Sequence, residues 1–277
     1  MSLHKLVTAS LVFAMVLTAS LAASPASAQS SATETCTSTD YLAPVLALSN
    51  SLGTLDYTKL DTVGSALTSL ITLRNEYEDL PPAAGCESLK PALIQFLALR
   101  EDVIFAQVAS KADAANIADY KDITTTGAAR FQAVGKLVND AVAPLTFPDK
   151  MPTALAGTAV PTSAPEVCTD TAFIAELAPA QSTIGAIKGM NIAAVIKLRY
   201  QFEDLQAASG CGDAQTVLIQ LITNVEDIVT LGVMSTADAA NAAAYTKFTS
   251  SVVAPRTATL QKLYLAAFPA AKATPTK

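Results

Sequence analysis

Apolar residues along this chain recur at intervals of three and four. In Leu218, Leu221, Ile222, Val225, Ile228 and Val229 those intervals build one stripe along a helix. No stretch reads convincingly as a strand. The pattern predicts helices near Asp40–Ser51, Thr58–Leu80, Ser88–Ala109 and Lys111–Ala143. A second set is predicted near Asp170–Ile187, Asn191–Ala207, Asp213–Val233 and Thr236–Ala266, the last broken at Pro255. Pro81-Pro82 stops one helix, because proline disfavours helical geometry in the residue before it. Gly210 stands where a left-handed C-cap is needed. Ser110 with Asp113, and Ser235 with Asp238, read as N-caps followed by an acid at the positive end of the helix dipole.

The second set of helices repeats the first. Leu73-Arg74 and Glu78-Asp79-Leu80 return 125 residues later as Leu198-Arg199 and Glu203-Asp204-Leu205. At the same spacing Gly85-Cys86 returns as Gly210-Cys211, Glu101-Asp102 as Glu226-Asp227, and Ala112–Asn116 as Ala237–Asn241, with Tyr120 matched by Tyr245. Outside this block the spacing drifts to 132 between Cys36 and Cys168 and to 121 between Phe147 and Phe268, as insertions in loops would cause. Short connections between such helices imply antiparallel neighbours. The expected fold is therefore all-α: two tandem, duplicated up-down helical bundles of about four helices each, with one disulfide per bundle.

Four cysteines allow three pairings. A duplicated module should carry its own bridge, which selects Cys36–Cys86 and Cys168–Cys211. Each would close a loop of about 50 residues, worth about 4 kcal/mol on a chain-entropy argument. Free or metal-binding thiols are the alternative, but no paired C-x-x-C occurs. The expected divisions are a signal peptide over 1–28, a helical module over 29–147, a linker over 148–167, a second module over 168–268 and a disordered tail over 269–277. The linker holds Pro148, Pro152, Pro161 and Pro165 among alanine, threonine and serine, and reads as extended and semi-stiff.

The N-terminus reads as an export signal. Lys5 precedes an uncharged run from Leu6 to Leu21, and Ala26-Ser27-Ala28 is a small-residue cleavage site. The alternative is an uncleaved anchor, but the run is short against the ~20 residues that span a bilayer. No membrane span is expected after its removal. Export makes oxidised cysteines expected, in a secreted, periplasmic or extracellular product.

Composition then narrows the chemistry. Apolar residues make up 51% and charged ones 15%, so a sizeable core is available and the surface is poor in charge. The net charge of −6 becomes −7 without Lys5, which disfavours nucleic acid as a partner. His4, the only histidine, leaves with the signal, and there is no tryptophan. Without histidine the Ser-His-Asp, Cys-His and Glu-x-x-His constellations cannot form in the mature chain. No phosphate loop, haem attachment or calcium loop occurs, and no cofactor is expected.

What remains is a set of polar residues that recur in both halves: Arg74, Glu78, Glu101, Asn116 and Tyr120, with Arg199, Glu203, Glu226, Asn241 and Tyr245. Arg74–Glu78 and Arg199–Glu203 have the i,i+4 spacing of an intrahelical ion pair beside the apolar stripe. On a helical projection Glu226 lies about 80° from Leu218, at the stripe edge, and Asp227 lies opposite. Glu101 and Glu226 are thus expected half-buried, and Asp102 and Asp227 solvated. Asn116, Tyr120, Asn241 and Tyr245 would run back past the glutamates if the last two helices pair. Arg100 falls on the apolar face and needs a partner. Such a set could line a polar pocket or fix helix register as a structural network.

The leading functional expectation is a secreted, non-enzymatic binding or structural protein of the cell exterior, whose partner would be a cell-envelope component or a protein. The alternatives are a carrier of an apolar small molecule or lipid, and a carboxylate-based enzyme using the Arg/Glu cluster.

Overall fold

The computed structural model describes residues 36–56, 58–112, 117–156, 165–176 and 192–269. The signal peptide, Asn116, the acid Asp113 expected after the Ser110 cap, residues 177–187 of one expected helix, the linker's 157–164 and the tail beyond 269 lie outside them. All regular structure among the described residues is helical. In chain order the helices with both ends among the described residues are α1 (Thr39–Leu52), α2 (Leu60–Asp79), α3 (Lys90–Ala112), α4 (Ile117–Val142), α5 (Ile192–Asp204), α6 (Gly212–Ala237), α7 (Ala242–Phe248) and α8 (Ala254–Ala267). Residues 171–176 are helical too, with Asp170 Oδ1 accepting from the Phe173 amide at 2.8 Å. A 3-10 turn, Ala239–Asn241, precedes α7, and a π-helical turn, Thr249–Val253, joins α7 to α8.

These residues fall into two compact units. One is drawn from Met1–Gln107 and Thr124–Pro161, the other from Val108–Ile123 and Thr162–Lys277. The division passes through α3 and α4, so the Val108–Ile123 segment counts with the second unit.

In the first unit α1 packs on α2. The side chain of Ser38 caps α1 by accepting from the Tyr41 amide at 3.3 Å. Along α2, Val63, Leu67, Leu70, Ile71 and Tyr77 are buried at helical spacing. Leu42 and Val45 of α1 and Leu93 and Leu97 of α3 are buried too. The Tyr77 hydroxyl donates to the Tyr41 carbonyl, and the two rings meet edge to face with centroids 5.1 Å apart. Helix α2 stops at Asp79 because Leu80, held extended before Pro81, cannot continue it.

In the second unit α6 is the central element, packed by α5, α7 and α8. Its core joins Val195, Leu198 and Phe202 of α5 to Leu218, Leu221 and Ile222 of α6 and to Leu260 and Tyr264 of α8. Helix α6 is long and apolar enough to cross a membrane by length and composition, but 67% of that window is buried inside the protein. Its burial and its charged residues Glu226 and Asp227 mark it as a core helix.

Cys36 is bonded to Cys86 and Cys168 to Cys211, and all four are buried. Both loops leading into a bridge turn in the same way. The Cys86 amide donates to Ala83 O and the Cys211 amide to Ala208 O, with Gly85 and Gly210 at positive φ in third position. Gly210 was expected as a helix C-cap; it serves instead in this turn, six residues beyond the end of α5. The expected N-caps Ser110 and Ser235 both lie inside helices instead, Ser110 within α3, which runs on to Ala112. Helix α6 continues to Ala237, Ser235 donates to Leu231 O within it, and Asp238 caps its C-terminal end.

Candidate functional site

Arg74 occupies a position in the inward stripe of α2, between Leu70–Ile71 and Tyr77, and Arg199 the corresponding place in α5. Both side chains are 0% exposed. Long side chains of this kind cannot be buried without partners for the cation. In the first unit Arg74 Nε donates to both carboxylate oxygens of Glu101 on α3, at 3.0 and 3.2 Å. Its Nη1 donates to Glu78 Oε1 at 3.0 Å and to Asn75 Oδ1 at 3.4 Å. In the second unit Arg199 Nε donates to both oxygens of Glu226 on α6, at 3.2 and 2.9 Å, and its Nη1 to Glu203 Oε1 at 2.6 Å. Each guanidinium thus joins a carboxylate one turn along its own helix to a carboxylate on the next helix. Its planar fork suits that geometry, which a lysine could not reproduce.

The acids next to these glutamates are deeper than the projection implied. Asp102 and Asp227, expected solvated, are 4% and 2% exposed. The projection assumed one buried face. On α6, however, Asn224, Asp227 and Thr230 are buried as well as Leu218 and Ile222, so the helix is covered on more than one side.

The remaining candidates lie elsewhere. Asn241 Nδ2 and the Tyr245 hydroxyl both donate to Asp238 Oδ2, at 2.9 and 2.8 Å, tying the end of α6 to the start of α7. Tyr120 is buried in the segment that belongs to the second unit. In that same unit Lys197 reaches Asp122 at 2.7 Å and Asp119 at 3.6 Å, and its ammonium is held above the usual lysine range by the hydrogen bond to Asp122 first. Arg100 lies over the rings of Phe131 and Phe96, 4.2 and 5.6 Å from their centroids, so its apolar surroundings include two aromatic faces.

One pair of polar residues escaped the sequence reading. Lys90 Nζ donates to the carbonyls of Glu78 and Leu80, at 3.2 and 2.7 Å. Gln215 Nε2 donates to those of Phe202 and Leu205, both at 2.6 Å. Each closes the carbonyl end of the helix that carries the arginine, where carbonyl groups lack intrahelical donors. The two residues stand at the 125-residue spacing, a signal present in the sequence but hidden by the change of residue type. Burial lowers the Lys90 pKa, against the opposing charges of Glu78 and Asp79.

Chemically, these networks hold their groups in place. Both glutamates of each network accept from a guanidinium that is itself sealed from solvent. Among the described residues no group of three or more histidine, cysteine or acidic side chains is placed to hold a metal ion. Compared with protein-family models, with curated proteins and with solved structures, the chain matches none.

Proposed function

We propose that the chain is an exported, non-enzymatic binding or structural protein of the cell exterior, built from two copies of one helical module. The observation that carries this reading is the fate of the recurring Arg/Glu cluster. Arg74 and Arg199 are fully buried and spend their donors on Glu78 and Glu101, and on Glu203 and Glu226. A group so placed fixes the register of two helices and offers little to a substrate. Two buried disulfides are compatible with life outside the cytosol. Two similar modules on one chain suit a ligand that repeats along a surface, because a second weak contact on a tethered module adds avidity.

The test uses the intact chain expressed in its own host. The product should be recovered outside the cytosol, begin at Gln29, contain no free thiol and be retained by cell-envelope material. Solvent extraction should release no bound lipid, and Glu101→Gln with Glu226→Gln should change no turnover in a hydrolase and lyase screen. A cytosolic, reduced product would overturn the export reading. A stoichiometric lipid, or an activity lost with the two glutamates, would replace the binding reading with a carrier or an enzyme.

A further inference from the structure

The helix that ends the second unit differs from α4 in one respect that a change of spacing explains. Through Ser251 the two follow each other at 125 residues. Tyr120 and Tyr245 are both buried, and Thr124-Thr125-Thr126 shows the same half-buried, exposed, exposed order as Thr249-Ser250-Ser251. From Val253 onward the match is at 126. Buried Val134, Val138 and Val142 answer to buried Leu260, Tyr264 and Phe268, half-buried Arg130 to half-buried Arg256, and exposed Lys136 to exposed Lys262. Burial thus pairs Phe268 with Val142 rather than with the half-buried Phe147 that the residue match at 121 selected.

The step falls on Val252, inside the π turn Thr249–Val253. There the Ala254 amide donates to Thr249 O, five residues back rather than four. Helix α4 has no such interruption. An extra residue in an α-helix rotates everything after it by about 100°, which would swing Leu260, Tyr264 and Phe268 off the core. A π turn takes up one residue and leaves the following helix facing as before. Pro255 alone does not account for the feature. Its missing amide and its clash with residue 251 explain a bend, but not a one-residue difference between the burial patterns on either side.

We propose that Val252 is a single-residue insertion and that the π turn is the device that restores the core register after it. The proposal rests on the two-copy part of the functional reading and is independent of what the protein binds.

The test compares three variants of the full chain. Deleting Val252 in a Pro255→Ala background should give a continuous α-helix, with the melting temperature within about 5 °C of Pro255→Ala alone. The residue 255 amide, newly present, should be protected from hydrogen exchange. Deleting Ala133 from α4, where no π turn can absorb the loss, should lower the melting temperature by more than about 10 °C. If removing Val252 costs as much as removing Ala133, or if both are tolerated, the proposal fails. Retention on envelope material, measured on the Val252 variant, separates this outcome from failure of the binding reading.

Discussion

Replacing Arg199 by alanine would leave Glu203 and Glu226 buried near each other without the guanidinium that bridges them. Breaking a buried pair from one side typically costs about 3–5 kcal/mol. Arg199→Ala is therefore expected to lose that much in urea unfolding. Arg199→Met combined with Glu203→Gln and Glu226→Met should regain most of it, because apolar packing often equals a buried ion pair. A loss below about 1 kcal/mol for Arg199→Ala would contradict the structural role. A subtler prediction concerns Lys90. Its depressed pKa says that burial opposes the ammonium, while Gln215 performs the same capping without charge. Lys90→Gln should match or exceed the parent in stability at pH 7, and Gln215→Lys should fall below it in the same chemical melt. At this scale the i,i+4 ion pairs were legible from spacing alone. Their depth was not, since Arg74 and Arg199 occupy core positions that the pattern assigns to apolar side chains. Nor was the burial of Asp102 and Asp227, which depends on what covers the far side of α3 and α6.

Between elements, the tyrosine pair that joins α1 to α2 makes the first unit sensitive to alkali. Burial, with Glu87's charge second, pushes the Tyr41 phenol up to about 12. Tyr77 is raised too, by burial first and then by Tyr41 and Glu76. The native state thus keeps protons that the unfolded chain gives up from about pH 10. The stabilisation is complete below pH 10 and is lost as pH climbs toward 12. A pH series of melts should show that decline, and Tyr77→Phe should make it shallower while costing about 1 kcal/mol at neutral pH for the lost hydrogen bond to Tyr41 O. Helix positions were readable from apolar spacing and from Pro81-Pro82, because those signals act locally. The π turn was not, because a break at Pro255 looks the same in sequence whether or not a residue has been added. Ser235 misled for a related reason: a serine hydroxyl can donate to the carbonyl four residues back inside a helix as readily as cap one.

Across the whole molecule, the bridges Cys36–Cys86 and Cys168–Cys211 each close a long segment within the first and second halves of the chain. Replacing both cysteines of one bridge by serine should cost about 2–5 kcal/mol in a thermal melt, and mass spectrometry of a non-reducing digest should find the other bridge intact. The bonded cysteines are also neighbours in order along the chain, first with second and third with fourth. A polypeptide threaded through a translocon amino end first would present Cys36 and Cys86 to the oxidising side before either later thiol arrives. Emergence alone then favours the native partners, so maturation should proceed at normal yield in a host lacking its disulfide isomerase, provided that an oxidase is present.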